Sequence, residues 1–318
     1  LNVFFNQPIC SLPKNLEILI FGCHFNCIIK HGVLPSTLKT LTFGYYYNQP
    51  IECNVLPSGL ETLIFGFNYN QPIKKNVLPA NLKNLKLRYG YGQVIEKNVL
   101  PENLETLNLK CDLKKIVLKN VLPKKLLKLS FRCNQINDLN ELKNIIPSSI
   151  QHLRIDCCYT FRGNDLVIPF CVSYLPNSLT HLTLNYRYNQ PIEQHILPNS
   201  LVSLKFGYKY NQPIEQYVLP NSLTRLEFGS NYNQPIEPNV LPISLKYLKF
   251  GSCFRQRIQS NVLPSTLTHL ILGNYYGKRI KQLPNSLIRF KHGKTYKYKT
   301  EVYEIIKKNK NLNIAFQY

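Results

Sequence analysis

The sequence predicts a mainly β protein, a solenoid of about 12–13 coils of 22 residues each, with short parallel strands on its concave side and a short C-terminal helix-strand cap. Three observations predict it. Prolines recur at a fixed interval, apolar residues within each interval alternate with the period of a strand, and each interval holds too much proline to leave room for a helix.

The interval is read from the prolines. Twelve of the 21 follow a leucine, at Pro13, Pro35, Pro57, Pro79, Pro101, Pro123, Pro176, Pro198, Pro220, Pro242, Pro264 and Pro284, and Pro147 takes the same place after Ile146. Most spacings are 22; the exceptions are 24 (Pro123 to Pro147), 29 (Pro147 to Pro176) and 20 (Pro264 to Pro284). Six more prolines stand in Gln-Pro-Ile, at Pro8, Pro50, Pro72, Pro191, Pro213 and Pro235. Counted from the Leu-Pro proline, apolar residues fall at +3, +6, +8, +16, +20 and +21, as in the coil from Pro198 to Val218. The +6/+8 alternation is the strand. Glycine at +9 (Gly22, Gly44, Gly66, Gly207, Gly229, Gly251, Gly273) is expected to let the chain turn sharply out of it. Asparagine at +13 (Asn26, Asn48, Asn70, Asn189, Asn211, Asn233) is expected to hydrogen-bond the turn and the next coil. The return through Gln-Pro-Ile should be extended or polyproline-like.

One coil cannot bury its Leu and Phe face alone, so the coils must stack, with strands roughly 4.8 Å apart. Leu38, Leu41, Phe43, Ile51 and Val55 should then rest on Leu60, Leu63, Phe65, Ile73 and Val77. The repeat array occupies residues 1–290 and a cap 291–318, in which Glu301 to Asn309 reads as a short amphipathic helix and Leu312 to Phe316 as a strand. Leu1 aligns with Phe43, inside a repeat, and the chain has no Met, so an upstream region is expected.

The recurring Tyr-Asn-Gln-Pro-Ile followed by Val-Leu-Pro-x-Ser-Leu-x-x-Leu-x-Phe-Gly resembles the FNIP repeat, a 22-residue relative of the leucine-rich repeat found in social amoebae and in giant viruses that infect amoebae. The resemblance spans Leu1 to about Phe290 and is weakest from Pro79 to Pro176, where Asn-Gln-Pro-Ile is lost. It implies a leucine-rich-repeat-like solenoid that binds other proteins. Proteins of this kind often carry an F-box upstream of the repeats, which docks onto a ubiquitin-ligase core while the repeats hold the substrate. The implied location is the cytoplasm, or the host cytoplasm for a viral protein.

Composition excludes some functions and suggests others. The 318 residues carry 39 Lys+Arg against 17 Asp+Glu, a net charge of +22, with 44% hydrophobic residues, a basic but foldable chain. No stretch has the roughly 18 apolar residues of a bilayer span, and no signal peptide stands at the start, so no membrane association is expected. No phosphate-cradling glycine loop, nucleophile elbow or Cys-x-x-Cys occurs, so neither enzyme nor cofactor is expected. His152, His181 and His269 share the outward +5 position, which in other coils is simply a variable surface site. Cys111, Cys133 and Cys157 share +10, consistent with small buried residues at a turn or with a redox or metal site.

Charge points to the binding face. The outward strand positions +5, +7 and +9 hold Lys86, Arg88, Lys110, Lys128, Arg132, Arg154, Lys205, Arg225, Lys249, Arg289 and Lys291 against Asp156 and Glu227. With His152, His181 and Tyr247 this ribbon predicts a partner protein with an acidic surface. The alternative is nucleic acid or another polyanion, with Tyr247 and the loop tyrosines as stacking groups. The segment from Cys157 to Pro176 exceeds the period by seven residues, which makes Tyr159, Phe161, Arg162 and Asp165 candidate partner contacts.

Overall fold

The computed structural model describes residues 2–113, 117, 120–132, 145–156 and 175–308. The chain forms two compact arrays, Leu1–Phe161 and Arg162–Tyr318. In the first, β1 (Ile18–Ile20), β2 (Thr40–Thr42), β3 (Thr62–Ile64), β4 (Asn84–Leu87), β5 (Thr106–Asp112), β6 (Lys128–Arg132) and β7 (His152–Asp156) pair in sequence order, all parallel. In the second, β8 (His181–Thr183), β9 (Ser203–Lys205), β10 (Arg225–Glu227), β11 (Tyr247–Lys249), β12 (His269–Ile271) and β13 (Arg289–Lys291) do the same. Helix α1 (Lys299–Lys308) follows. Each array is a β-solenoid with one strand per coil. Equivalent residues pair, as Leu41 does with Leu63 and Leu204 with Leu226, because the sequence repeats in the same register as the backbone.

Three turns close each coil. Leu38 N–H donates to the Pro35 carbonyl at 3.1 Å, Tyr47 N–H to the Gly44 carbonyl at 3.4 Å, and Val55 N–H to the Glu52 carbonyl at 3.3 Å. The third turn has positive φ at its third residue, the position that favours Gly or Asn. The column at +19 reads Gly32 (77°), Asn54 (63°), Asn76 (64°), Asn98 (66°), Asn120 (61°), His195 (61°), Tyr217 (67°), Asn239 (66°) and Asn261 (69°). These asparagines stand just before Val-Leu-Pro and set the corner.

The predicted core residues are buried, with Leu38, Leu41, Leu60 and Leu63 fully enclosed and Phe43, Ile51, Val55, Phe65, Ile73 and Val77 nearly so. The core also takes the aromatic residue at +12, which the apolar pattern omitted. Tyr47, Tyr69, Tyr91, Tyr210 and Tyr232 are buried, and Phe25 and Phe254 fill the same column. Within a coil Phe43 stacks on Tyr47 at 3.9 Å; between coils Phe43 meets Phe65 at 5.5 Å and Tyr47 meets Tyr69 at 6.1 Å. Among the described residues the hydroxyls of Tyr47, Tyr210 and Tyr232 in this column are buried without a hydrogen-bond partner. Burial pushes the ionisation of these tyrosines upward, and likewise that of Tyr91, Tyr188 and Tyr276, the last to about 12.

The expected asparagine ladder forms. Asn26, Asn48 and Asn70 accept through Oδ1 the backbone N–H of Asn48, Asn70 and Gly92, at 2.8, 2.8 and 2.9 Å. Asn189, Asn211 and Asn233 accept those of Asn211, Asn233 and Arg255 at 2.7, 2.8 and 2.8 Å. The following glutamine completes it, since Nε2 of Gln212 and Gln234 donates to the carbonyls of Asn189 and Asn211 at 3.0 Å each. A second ladder runs at +2, where the hydroxyls of Ser200, Ser222 and Ser244 donate to the carbonyls of Leu179, Leu201 and Leu223 at 2.7, 2.7 and 2.8 Å. Backbone groups at the corners are thereby satisfied from coil to coil.

The glycines at +9 act differently from the expectation. None has positive φ; among the described glycines Gly32 does. They are required because the coils approach closely there: a Cβ on Gly44 would overlap the Gly22 carbonyl, and one on Gly229 the Gly207 carbonyl. This also sets strand length. Next to glycine the strands are three residues long, whereas β4 to β7, with Arg88, Lys110, Arg132 and Asp156 at +9, have 4, 7, 5 and 5 residues. β8 keeps three residues with Asn185 at +9, whose Oδ1 accepts the Arg187 N–H at 2.8 Å.

Helix α1 falls where a short amphipathic helix was expected. Its Val302 is buried, and Arg279 Nε pairs with Glu301 at 2.5 Å. The predicted strand from Leu312 to Phe316 lies outside the described residues.

Candidate functional site

Strand alternation turns +6 and +8 into the core and leaves +5 and +7 on the opposite face, with +9 joining them where it is not glycine. In the first array this face changes character along the stack. β1 to β3 present Ile18 and Ile20, 59% and 56% exposed, with Thr40, Thr42, Thr62 and Ile64 beside them. From β4 onward come Lys86, Arg88, Lys110, Lys128, Arg132, His152 and Arg154.

These cations are not equivalent. Asp156 takes Lys110 Nζ at 2.5 Å, reaching across an intervening coil, and Arg154 Nε at 3.0 Å. The guanidinium of Arg132 lies 4.7 Å from the centre of the Tyr89 ring. Lys86, Arg88 and Lys128 have no acidic partner among the described residues. Burial first, then the nearby charges of Arg88 and Lys110, lower the proton affinity of Lys86.

In the second array one carboxylate organises the face. Glu227, 8% exposed, accepts from Arg225 at 2.5 and 3.0 Å and lies 3.8 Å from both Lys205 and Lys249 on the adjacent strands. The Arg225 guanidinium also covers the Tyr247 ring at 3.7 Å. His269 sits beside Tyr247 and has its proton affinity lowered by burial and by Arg289 and Arg225. On the predicted basic ribbon, its two expected acids each gather cations, Asp156 taking Lys110 and Arg154 and Glu227 taking Arg225 with Lys205 and Lys249 nearby.

The remaining sequence candidates resolve unevenly. His181 lies in the second array and His152 in the first. Cys111 is buried, while Cys133 and Cys157 lie outside the described residues, as do the insertion residues Tyr159, Phe161, Arg162 and Asp165. The loop tyrosines at +12 are core, which removes them as stacking groups. Those at +10 are exposed but stack on their own neighbours, Tyr45 on Phe67 at 4.9 Å and Tyr186 on Tyr208 at 4.7 Å. No described helix is long and apolar enough to cross a membrane.

The recurring ladders can be compared with known proteins. CroV588, a circular leucine-rich-repeat protein of a giant virus, is 41% identical over 92% of this chain and superposes with a TM-score of 0.71; this chain spans 46% of the length of that one. The pneumococcal vaccine antigen PcpA aligns at 12% identity over 90% of this chain and 67% of its own, with a TM-score of 0.23, too low to support any argument. No curated protein matches. Seven stretches match the family described as FNIP Repeat, residues 5–46, 47–90, 91–134, 169–209, 210–253, 241–275 and 254–294. These stretches cover most of the coils whose Asn-Gln and Phe-Tyr columns hold the stack together, and the chain belongs to the FNIP repeat family.

Proposed function

We propose that the chain is a non-enzymatic recognition scaffold that binds a partner protein with an acidic surface through the outward strand face. One observation carries this reading. Within the 22-residue coil the inward positions keep their residue type, while the outward +5 position changes from Ile18 to Thr40, Thr62, Asn84, Thr106, Lys128 and His152 along the first array. Stacking constrains the first set and leaves the second open to selection by a ligand. Leucine-rich-repeat-like solenoids are typically interaction scaffolds, which favours the same reading.

The finer reading is a substrate receptor of an F-box-type ubiquitin-ligase adaptor working in the cytoplasm, the host cytoplasm if the source is viral. It rests on the family resemblance. Affinity capture from cells tests both levels with the same bait. Charge reversal at Lys86, Arg154, Lys205 and Lys249 should release the bound partner while leaving a ligase core attached to the full-length protein. A partner retained by the reversed variant would sink the face; absence of any ligase core would sink the adaptor.

A second reading, nucleic-acid binding, is favoured by the net charge of +22 and by Lys86, Arg88 and Lys128, which have no acidic partner among the described residues. It predicts salt-sensitive binding of mixed-sequence RNA or DNA, and none at low ionic strength would exclude it.

A further inference from the structure

The exposed aromatic residues at +10 form ladders that end differently in the two arrays. In the first, Tyr45, Phe67 and Tyr89 follow one another at 4.9 and 5.4 Å. Both end rings have a further partner within the chain: Tyr46 meets Tyr45 edge-on at 4.8 Å, and the Arg132 guanidinium lies 4.7 Å from the centre of Tyr89. In the second, Tyr186 stacks on Tyr208 at 4.7 Å with the rings 8° apart, and the column then passes to Ser230 and Ser252. Tyr208 is 43% exposed, and among the described residues Tyr186 is its one ring or cation partner, which leaves the face toward Ser230 uncovered.

The backbone carries the same geometry past this point. The N–H that follows each column position donates to the column carbonyl of the preceding coil: Lys209 to Tyr186 at 2.9 Å, Asn231 to Tyr208 at 2.9 Å and Cys253 to Ser230 at 2.8 Å. Successive +10 side chains therefore leave the backbone one coil apart, about 4.8 Å. A tyrosine at 230 would continue the ladder; serine breaks it by the width of one ring. The Ser230 and Ser252 side chains make no hydrogen bond among the described residues, so a ring laid there displaces none.

We propose that Tyr208, Ser230 and Ser252 form a slot that receives one aromatic side chain of the partner protein. This rests on the reading of the chain as a protein-binding scaffold, and it places an anchoring contact at the corner beside the strand face. The incoming ring lies on Tyr208 as Tyr208 lies on Tyr186. Stacked rings gain attraction beyond the area they bury, and buried aromatic anchors carry much of the energy of protein interfaces. A nucleobase would stack as well, but a polynucleotide needs cations along its backbone path. The corner residues Gly229, Ser230, Asn231, Gly251, Ser252 and Cys253 carry no charge, which favours a side chain. Lys205 and Lys249, at the ends of β9 and β11, suit acidic residues flanking that ring.

Fluorescence anisotropy on the whole chain tests this. The probes are labelled pools of acidic peptides with one central Trp or Leu, a Trp pool whose acidic residues are replaced by Gln, and a mixed-sequence single-stranded RNA. The chain has no Trp of its own, so the emission of the peptide's Trp gives a second readout of stacking. The acidic Trp pool should bind about tenfold tighter than the Leu pool. Tyr208→Leu should erase that preference and Tyr45→Leu should leave it intact, both with unchanged thermal melts. Ser230→Tyr, which continues the ladder from within, should erase it while raising the melting temperature. Equal binding of the acidic Trp and Leu pools would overturn the slot and keep the acidic-partner reading; a full Trp preference in Tyr208→Leu or Ser230→Tyr would also overturn the slot. A Tyr208-dependent preference that survives replacement of the acidic residues would keep the slot and remove the acidic-partner reading. No binding of any pool would remove both, and RNA binding tighter than any peptide and lost in Tyr208→Leu would replace the side chain with a nucleobase.

Discussion

The coils of β1 to β3 and those of β4 to β7 solve the same stacking problem with different groups. In the first set a glycine at +9 lets backbones touch, Phe stacks on Tyr, and the Asn-Gln pair ties each coil to the next. In the second, glycine is lost, Phe gives way to Leu87 and Leu109, the Asn-Gln ladder ends at Gly92 and Gln93, and the strands lengthen. The extra strand residues carry Lys110, Arg132 and Asp156, and Arg88 directly follows β4. Losing the tight corner is what opens a third outward row, and it is in this row that charge collects.

Alkaline pH should separate the two kinds of coil most strongly. The hydroxyls of Tyr47, Tyr69, Tyr91, Tyr188, Tyr210 and Tyr232 are held protonated by burial, whereas in the unfolded chain tyrosine ionises near 10. With the folded pKa raised, the stability is fully present below pH 10 and is lost as pH rises above it. Each such tyrosine removes about 1.4 kcal/mol per pH unit. Circular dichroism against pH should show cooperative unfolding above 10, and hydrogen exchange should find it in the Tyr-containing coils before β5, where Leu113 fills +12. Tyr210→Phe with Tyr232→Phe should raise the midpoint; an unmoved midpoint would show that the column does not control the transition.

Glycine replacement should give the next largest contrast. Gly44→Ala or Gly229→Ala forces backbones apart and is expected to cost about 3 kcal/mol in chemical denaturation. Arg88→Ala, at the same position of an opened coil, should stay within about 0.5 kcal/mol. Similar costs at both sites would mean that the close approach does not determine the corner.

How much of this was legible follows from the range of each interaction. Leu38, Leu41 and Phe43 could be assigned to the core because one coil's pattern already fixes which way they point. Asn48 could be assigned to a ladder because an identical residue stands 22 residues away on either side, at Asn26 and Asn70. The column at +12 was hidden because Tyr reads as a polar loop residue beside Asn-Gln; Phe25 and Phe254 at the same place were the available signal. The Asn before Val-Leu-Pro likewise signalled a positive-φ corner. Gly44 was recognised but given the wrong role, since its constraint comes from the backbone of another coil. The pairing of Lys110 with Asp156 skips a coil, and the reach of side chains does not follow from register. For the same reason a basic ribbon interrupted by Asp156 and Glu227 was legible while the cations each of them gathers were not.

Removing one rung of the ladder should have an intermediate effect. Asn211→Ala takes the acceptor from the Asn233 N–H, leaving a corner donor unsatisfied at a cost of about 2 kcal/mol. Denaturant titration measures it. A cost near zero would mean that solvent replaces the amide and that the ladder does not distinguish these coils from those of β5 to β7.

The smallest expected effect has the opposite sign. Tyr217 occupies the positive-φ corner at 67°, where Asn239 and Asn261 stand in later coils, and its side chain is 69% exposed. An L-residue other than Gly or Asn pays a steric penalty in this region, and an exposed ring has little packing to offset it. Tyr217→Asn is therefore expected to stabilise the second array by about 0.5–1 kcal/mol, read as a higher melting temperature. Tyr217→Val, β-branched and poorly suited to positive φ, should move it the other way. If Asn lowered the melting temperature, the ring would be contributing through contacts rather than tolerating strain, and the corner would have to be explained by what Tyr217 touches instead of by its backbone.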